Sequence, residues 1–352
     1  MNPVLRREVM ERFRSRRAPW FLFAWTVGVG LIGYVAYLVS QQVADALLGR
    51  LLATQYMGRF LFQAMALLMM TAVILIVPGV TALSIVTERE RQTLQLLQVT
   101  QLTPLQLVLG KLSSSIGYFL LLLVAVAPVV AIPLLFGGMS TGDVAAALGM
   151  MLATAITLGS VAIAVSSRAR SSRGAVAGSY AVAFLIGFLS LAIFLGELFL
   201  ARPSEQSLIP ARGREFYSSW FNPYVGMVDA IRQPLRAQTD FTFTPFTPFD
   251  AIVYARQGVS TGGITVPGGG GFGFVEDFAA MGGNGVLARE LAMPVPIPGG
   301  EADVEVRVRR GPVWMRTSII YAAITALALL RASYVVRAPA RKILLTKRRR
   351  DG

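Results

Sequence analysis

Cysteine and histidine are both absent from this 352-residue chain. That excludes disulfides, thiolate chemistry, histidine acid–base catalysis and any metal site built on His or Cys ligands. Charge is also scarce, at 15% of residues, while 54% are hydrophobic and the mean hydropathy is +0.59. Such a composition marks a polytopic membrane protein and not a soluble globule. No G-x-x-x-x-G-K-[ST] stretch occurs: Gly110-Lys111 is followed by Leu112 and lacks the upstream glycine. Without a phosphate-binding loop the chain is not expected to hydrolyse ATP, and it is not read as an enzyme.

What the chain has in quantity is apolar runs. Six are long enough for a hydrocarbon layer of about 30 Å, which takes about 20 residues of helix. They start at Pro19, Phe60, Leu112, Val144, Gly174 and Val313 and end near Val39, Val86, Phe136, Val165, Leu200 and Val336. The first exceeds a signal-peptide core and no convincing A-x-A site follows, so it reads as an uncleaved signal-anchor. As a straight helix the second would be about 40 Å long, which implies tilt or a kink at Pro78-Gly79. Pro128 and Pro133 interrupt the third. Ala145, Gly149, Ala153 and Thr157 form a small-residue strip on the fourth, and the fifth opens with Gly174-x-x-x-Gly178. Either surface suits close packing within the subunit or against a second copy. Arg331, in the sixth, reads as snorkelling to headgroups, with a bundle-facing role as the alternative. No carboxylate pair and no nucleophile–base pair falls within the spans, so a membrane enzyme is disfavoured.

The stretch Thr87–Lys111 organises the rest. Four consecutive charges, Glu88, Arg89, Glu90 and Arg91, stand at its head. On insertion scales a charge at mid-bilayer costs about 2.5–3.5 kcal/mol, so the four belong outside the hydrocarbon. Thr87-x-x-Glu90 and Thr103-Pro104-x-Gln106 both fit capping boxes. The expected course is a short new helix from Thr87, a break near Gln101, and a re-entering helix from Thr103. On a helical wheel Leu94 and Leu97 form one apolar strip, and Leu96 and Val99 another, roughly 160° away. Two opposed strips suit a helix held between its own bundle and a second protein.

Charge distribution sets the topology. Nineteen Lys and Arg residues lie in the short segments on one side, in residues 1–18, 87–111, 167–173 and 337–352, against Arg50 and Arg59 on the other. The positive-inside rule then puts both termini and the Thr87 stretch in the cytoplasm. Less the five acids there, that face carries the whole net charge of +14. The basic excess is topological, and nucleic acid is not an expected partner. Residues 1–18 form a basic amphipathic helix for the membrane interface, and the tail ends in a basic cluster suited to an anionic leaflet. Residues 201–312 are too polar to span and make a mixed, loop-rich insertion opposite the cytoplasm. Within it, Asn222 as cap, Pro223 at the first helical position and Pro234 as stop predict a short helix with Val225, Val228 and Ile231 apolar. Asp303–Arg309 alternates valine with charge and reads as a strand. The domains are thus 1–18, 19–200 with the segment 87–111, 201–312 and 313–352. The fold class is an all-α polytopic membrane protein.

ERERQTLQLLQVTQLTPLQLVLGK resembles the cytoplasmic coupling segment of ABC transporter permeases of the type-two exporter class. Matching positions are Glu88, Arg89, Glu90, Thr93, Leu94, Leu96, Leu97, Thr100, Leu102, Pro104 and Lys111. Gln92 stands where that family commonly has Gly, Gln95 where Glu is common and Gln101 where Pro is common. The resemblance implies that Glu88, Arg89, Glu90, Arg91, Thr93, Leu94, Leu96 and Leu97 couple the chain to a separate ATPase subunit. That partner would bind ATP and Mg, leaving no cofactor in this chain. It implies also a second permease copy, identical or paralogous, in the plasma (bacterial inner) membrane, and transport that is mostly outward. WFNPYVGMVDAIRQP resembles the Asn-Pro segment after the fifth span in that family, which makes Asn222, Pro223, Tyr224, Val228 and Ile231 candidates for an external gate. A helix on the surface of a small outer domain is the plainer reading of those residues. For the whole chain the alternative is a non-transporting scaffold or mechanotransmission protein acting through its insertion.

Overall fold

The computed structural model describes residues 17–47, 50–93, 103–137, 139–200, 217–231 and 313–337. The helices are α1 (Arg17–Leu47), α2 (Arg50–Glu90), α3 (Pro104–Val130), α4 (Ile132–Phe136), α5 (Thr141–Arg168), α6 (Ser172–Phe184), α7 (Ser190–Leu200), α8 (Pro223–Ile231) and α9 (Val313–Arg337). A π-helical turn, Leu185–Leu189, joins α6 to α7 without a break, and a 3-10 turn, Tyr217–Trp220, precedes α8. No strand occurs among the described residues. Six helical segments are long and apolar enough to cross a membrane, the fifth being α6 with its continuation into α7. All six expected spans are present, and the fold is an all-α polytopic membrane protein. The amphipathic stretch 1–16, the strips on 94–99, the strand at 303–309 and most of the insertion lie outside the described residues.

Burial separates a core pair from the rest. In α2 61% of the most apolar stretch is buried and in α5 56%, against 17–22% in the other four spans. α2 packs against α1, α3, α5 and α6, so it is the axis of the bundle. Met69, Met70, Val73 and Ile74 of α2 join Met150, Met151, Ala155 and Leu158 of α5 in one core with Phe119 and Val126 of α3. Outward faces stay apolar, as lipid requires: Trp20 and Leu31 on α1 and Leu327 and Tyr334 on α9 are exposed. Arg331 lies on that exposed face of α9, which overturns the bundle-facing alternative.

Helix limits follow local chemistry. α3 starts at the expected box: Thr103 Oγ1 accepts from Gln106 N at 3.3 Å, and Gln106 Oε1 accepts from Thr103 N at 3.0 Å. Pro133 lacks an N–H and crowds the preceding turn; the third span accordingly breaks at Ala131 and resumes as α4 with Pro133 in its first turn. Pro78, by contrast, lies inside a continuous α2, which at 41 residues is about 60 Å long, well beyond the expected limits. Thr157, at the inner end of the small-residue strip, bonds Thr325 Oγ1 of α9 at 3.1 Å, while Ala145 and Gly149 are exposed. Of the Gly174-x-x-x-Gly178 motif, Gly178 packs within the subunit, where a Cβ would sit 3.0 Å from Val165 Cγ1, while Gly174 is exposed.

Near the other end of α2 the backbone of α4 lies directly on Gly58. A Cβ there would come within 2.3 Å of Gly137 O and 2.8 Å of Pro133 O. Both are backbone atoms with no rotamer to yield. Gly58→Ala is therefore expected to destabilise the purified protein by about 1–3 kcal/mol, the range of overpacked cores, whereas Gly149→Ala, with nothing within 4 Å, should be neutral. Thermal unfolding of both variants in detergent checks this.

Candidate functional site

The charged cluster does not begin a helix. Thr87 lies in the last turn of α2, where its carbonyl accepts from Arg91 N at 3.0 Å, so the Thr87–Glu90 capping box is not formed. The ladder simply continues, and the Glu90 carboxylate finds better donors elsewhere. Its two oxygens accept from Ser172 N at 2.7 Å and Ser172 Oγ at 2.6 Å, in the first turn of α6, where the helix dipole favours an anion. Arg89 goes to the opposite kind of terminus: Nη1 donates to Ala169 O at 2.8 Å and Nη2 to Ser167 O at 2.5 Å, the free carbonyls that close α5. Glu88 turns to α3, where its Oε1 lies 3.3 Å from Nζ of Lys111, a lysine side chain only 4% exposed. Thr93 donates its hydroxyl to the other Glu88 oxygen. Arg91 is exposed.

α2 stops by a Schellman turn. Gln92 N donates to Arg89 O at 3.1 Å and Thr93 N to Glu88 O at 3.0 Å, with Gln92 at φ 58°. That left-handed conformation suits Gly, the residue the resembling family commonly has there, and costs an L-residue about 1–2 kcal/mol. Glu88, Arg89, Glu90 and Thr93 are thus brought together, tying the ends of four spans. Leu94, Leu96 and Leu97 lie outside the described residues. Lys111, Ser167 and Ser172 were not singled out as partners from sequence; the serines in and beside the basic turn at Arg168–Arg173 were the available signal.

The second cluster surrounds α8. Pro223 through Asp229 and Ile231 are all buried. A surface helix shows an open face, so the plainer reading does not describe α8. Tyr224 Oη is 2.9 Å from Thr71 Oγ1, about 28 Å along α2 from Glu90. α8 therefore sits inside the bundle near the far edge of a layer about 30 Å thick. Gly226 permits the fit: a Cβ would lie 2.9 Å from Met150 Cε and 3.1 Å from Thr317 Oγ1.

Asn222, with no solvent exposure, uses its whole amide. Oδ1 accepts from Tyr224 N at 2.9 Å and Val225 N at 3.0 Å, capping α8. Nδ2 donates to Ser190 Oγ at 2.8 Å and Gly187 O at 3.2 Å, in and just after the π turn. At the other end of α8, Asp229 Oδ2 accepts from Trp314 N at 3.1 Å, in the first turn of α9; in the turn before α8, Phe221 O accepts from Tyr321 Oη at 3.0 Å. The sequence pointed to Asn222, Pro223, Tyr224, Val228 and Ile231; it missed Ser190, Asp229, Tyr321 and Thr71. Asp229, a carboxylate in an otherwise apolar nine-residue helix, was the legible signal. No group of three carboxylates stands together among the described residues.

Residues 43–222, just over half of the chain, match the model of a family described as ABC-2 family transporter protein. The chain belongs to that family. It is a multi-pass membrane permease of an ABC transporter, the component that forms the membrane pathway and associates with an ABC ATPase. No curated protein matches it. The match runs from the end of α1 to Asn222 and so takes in both the charged end and the residue that caps α8. In this permease Gln92→Gly should relieve the left-handed strain and stabilise by up to about 1 kcal/mol, less whatever the freer glycine costs in the unfolded chain. A higher midpoint of thermal unfolding is the expected reading, and a lowered one counts against the turn.

Proposed function

We propose that this permease carries substrate outward across a bacterial inner membrane, driven by a separate ATPase that docks at the Glu88 end. Both termini and the stretch 87–111 are cytoplasmic in this reading, in line with the basic excess on that side. Two permease copies, identical or paralogous, enclose the pathway, with ATP and Mg held by the ATPase pair. The observation that carries the proposal is the clasp at Glu88, Arg89 and Glu90. A push on the segment after Glu90 reaches α3 through Lys111, α5 through its terminal carbonyls and α6 through Ser172. A docked motor would thereby move four spans together. α8, buried at the opposite end between α2, α5 and α9, is the external gate, with Asn222, Pro223, Tyr224, Val228 and Ile231 as its seated face.

Topology is open to a direct test because the chain has no native cysteine. Cysteines at Thr100 or Ser171 should resist an impermeant thiol reagent in intact cells, and one at Ser260 should react; labelling of Ser171 from outside reverses the orientation. Coupling needs the permease with its co-purifying ATPase. A probe on Tyr217→Cys should change its reactivity when ATP is added. Arg89→Ala should abolish that change while ATP turnover in the complex persists. Unaltered ATP response in Arg89→Ala would show that the clasp transmits nothing.

A further inference from the structure

The π turn in the fifth span, Leu185–Leu189, lies apart from the Glu88 clasp and beside the seat of α8. Its defining bond runs from Ser190 N to Leu185 O, one residue longer than an α-helical bond, so Ile186 O is bypassed. Ser190 Oγ donates to that bypassed carbonyl, and accepts in turn from Asn222 Nδ2. The second Asn222 amide hydrogen goes to Gly187 O, inside the turn. The polar groups of the bulge are therefore met partly by its own serine and partly by the residue that caps α8. The packing agrees: Phe194, one turn beyond the bulge, is fully buried with Val225 of α8 and Val313 of α9. Gly187 lies against Ile74 of α2, where a Cβ would be 3.0 Å from its Cδ1.

We propose that Asn222 is a positioning residue which holds the fifth span in its bulged register while α8 is seated, so that bulge and α8 form one two-state element. When α8 leaves, the Gly187 carbonyl and the Ser190 hydroxyl lose their donor. The span then closes to a regular α-helix, in which Ser190 N bonds Ile186 O. Removing the extra residue of the bulge turns α7 by about 100° and shifts it about 1.5 Å along its axis. That rotation carries Phe194 off Val225 and Val313, and the pocket it vacates no longer fits α8. Seating of the short helix and register of the long one thus exclude each other's alternatives. The inference rests on the gate reading only for its consequence in transport; the register itself is read without transport.

The test is a nitroxide scan of single cysteines over residues 178–197 of the full chain in lipid nanodiscs, reading oxygen accessibility. In the unaltered protein the helical periodicity should slip in phase by about 100° across Leu185–Leu189. In Asn222→Ser, where a hydroxyl can still cap α8 but cannot reach Gly187, the slip should vanish and residues 190–197 should continue the phase of 178–184. Asn222→Asp, whose carboxylate can still cap α8 but has no N–H for Gly187 O or Ser190, should do the same and decides the matter if Asn222→Ser does not fold. A slip that persists in the folded variants means that the bulge is intrinsic to the fifth span and overturns the proposal. Its failure would leave the ATP-dependent response of Tyr217→Cys untouched, so the two readings stand or fall separately.

Discussion

Three adjacent charges at the end of one helix each find a partner on a different neighbour, and the rest of the bundle is arranged around that fact. Successive helical residues point about 100° apart. Glu88, Arg89 and Glu90 therefore fan out over about 200° and can reach α3, α5 and α6 at once. Two of the three contacts are with helix termini, where backbone groups have no partner in their own helix. Single partly exposed ion pairs contribute little. Here the energy per contact matters less than the geometry: α2 cannot turn about its axis without releasing all three.

The same demand for satisfied backbone groups governs the opposite end, with a different solution. A polypeptide that enters a membrane-embedded bundle and leaves by the same side must close its own hydrogen bonds there. α8 does so by borrowing from its neighbours. Asn222 supplies two acceptor sites to its amides, Tyr321 a donor to the turn before it, and Asp229 repays α9 with an acceptor at its first turn. Glycine at 226 lets the short helix approach α5 and α9 closely enough for these bonds to form. Charged side chains tie the Glu88 end, and neutral amides, hydroxyls and one carboxylate tie the Asn222 end.

How much of this was legible depended on whether a local signal was forced. Long apolar runs have few alternatives, so all six spans were readable, with ends displaced outward where α2 continues beyond the hydrocarbon. Of the two capping boxes, the one at Thr103 held because Pro104 keeps the preceding residue out of helical conformation. Thr87 has no such neighbour. The identical pattern there lies inside a helix already under way, and Glu90 instead caps a helix that starts 82 residues later. The break after Arg91 was hidden for the opposite reason, since Gln92 occupies a left-handed position that glycine would have advertised. Asn222-Pro223 announced α8, but its partner Ser190 is one hydroxyl in a run of leucine and phenylalanine, and Leu-Ile-Gly-Phe-Leu carries no mark of a π turn.

The length of α2 has a mechanical side. From Gly58, wedged under the α4 backbone, to Glu90 is about 48 Å of helix, so each degree of tilt about Gly58 displaces Glu90 by about 0.8 Å. Hydrogen bonds weaken over a few tenths of an ångström. The helix is a lever whose fulcrum lies at one membrane face and whose tip is fastened at the other. A tilt of even two degrees has to drag the ends of α3, α5 and α6 along or tear free of them, so thermal sway in the long arm is converted into whole-bundle motion and not into local play.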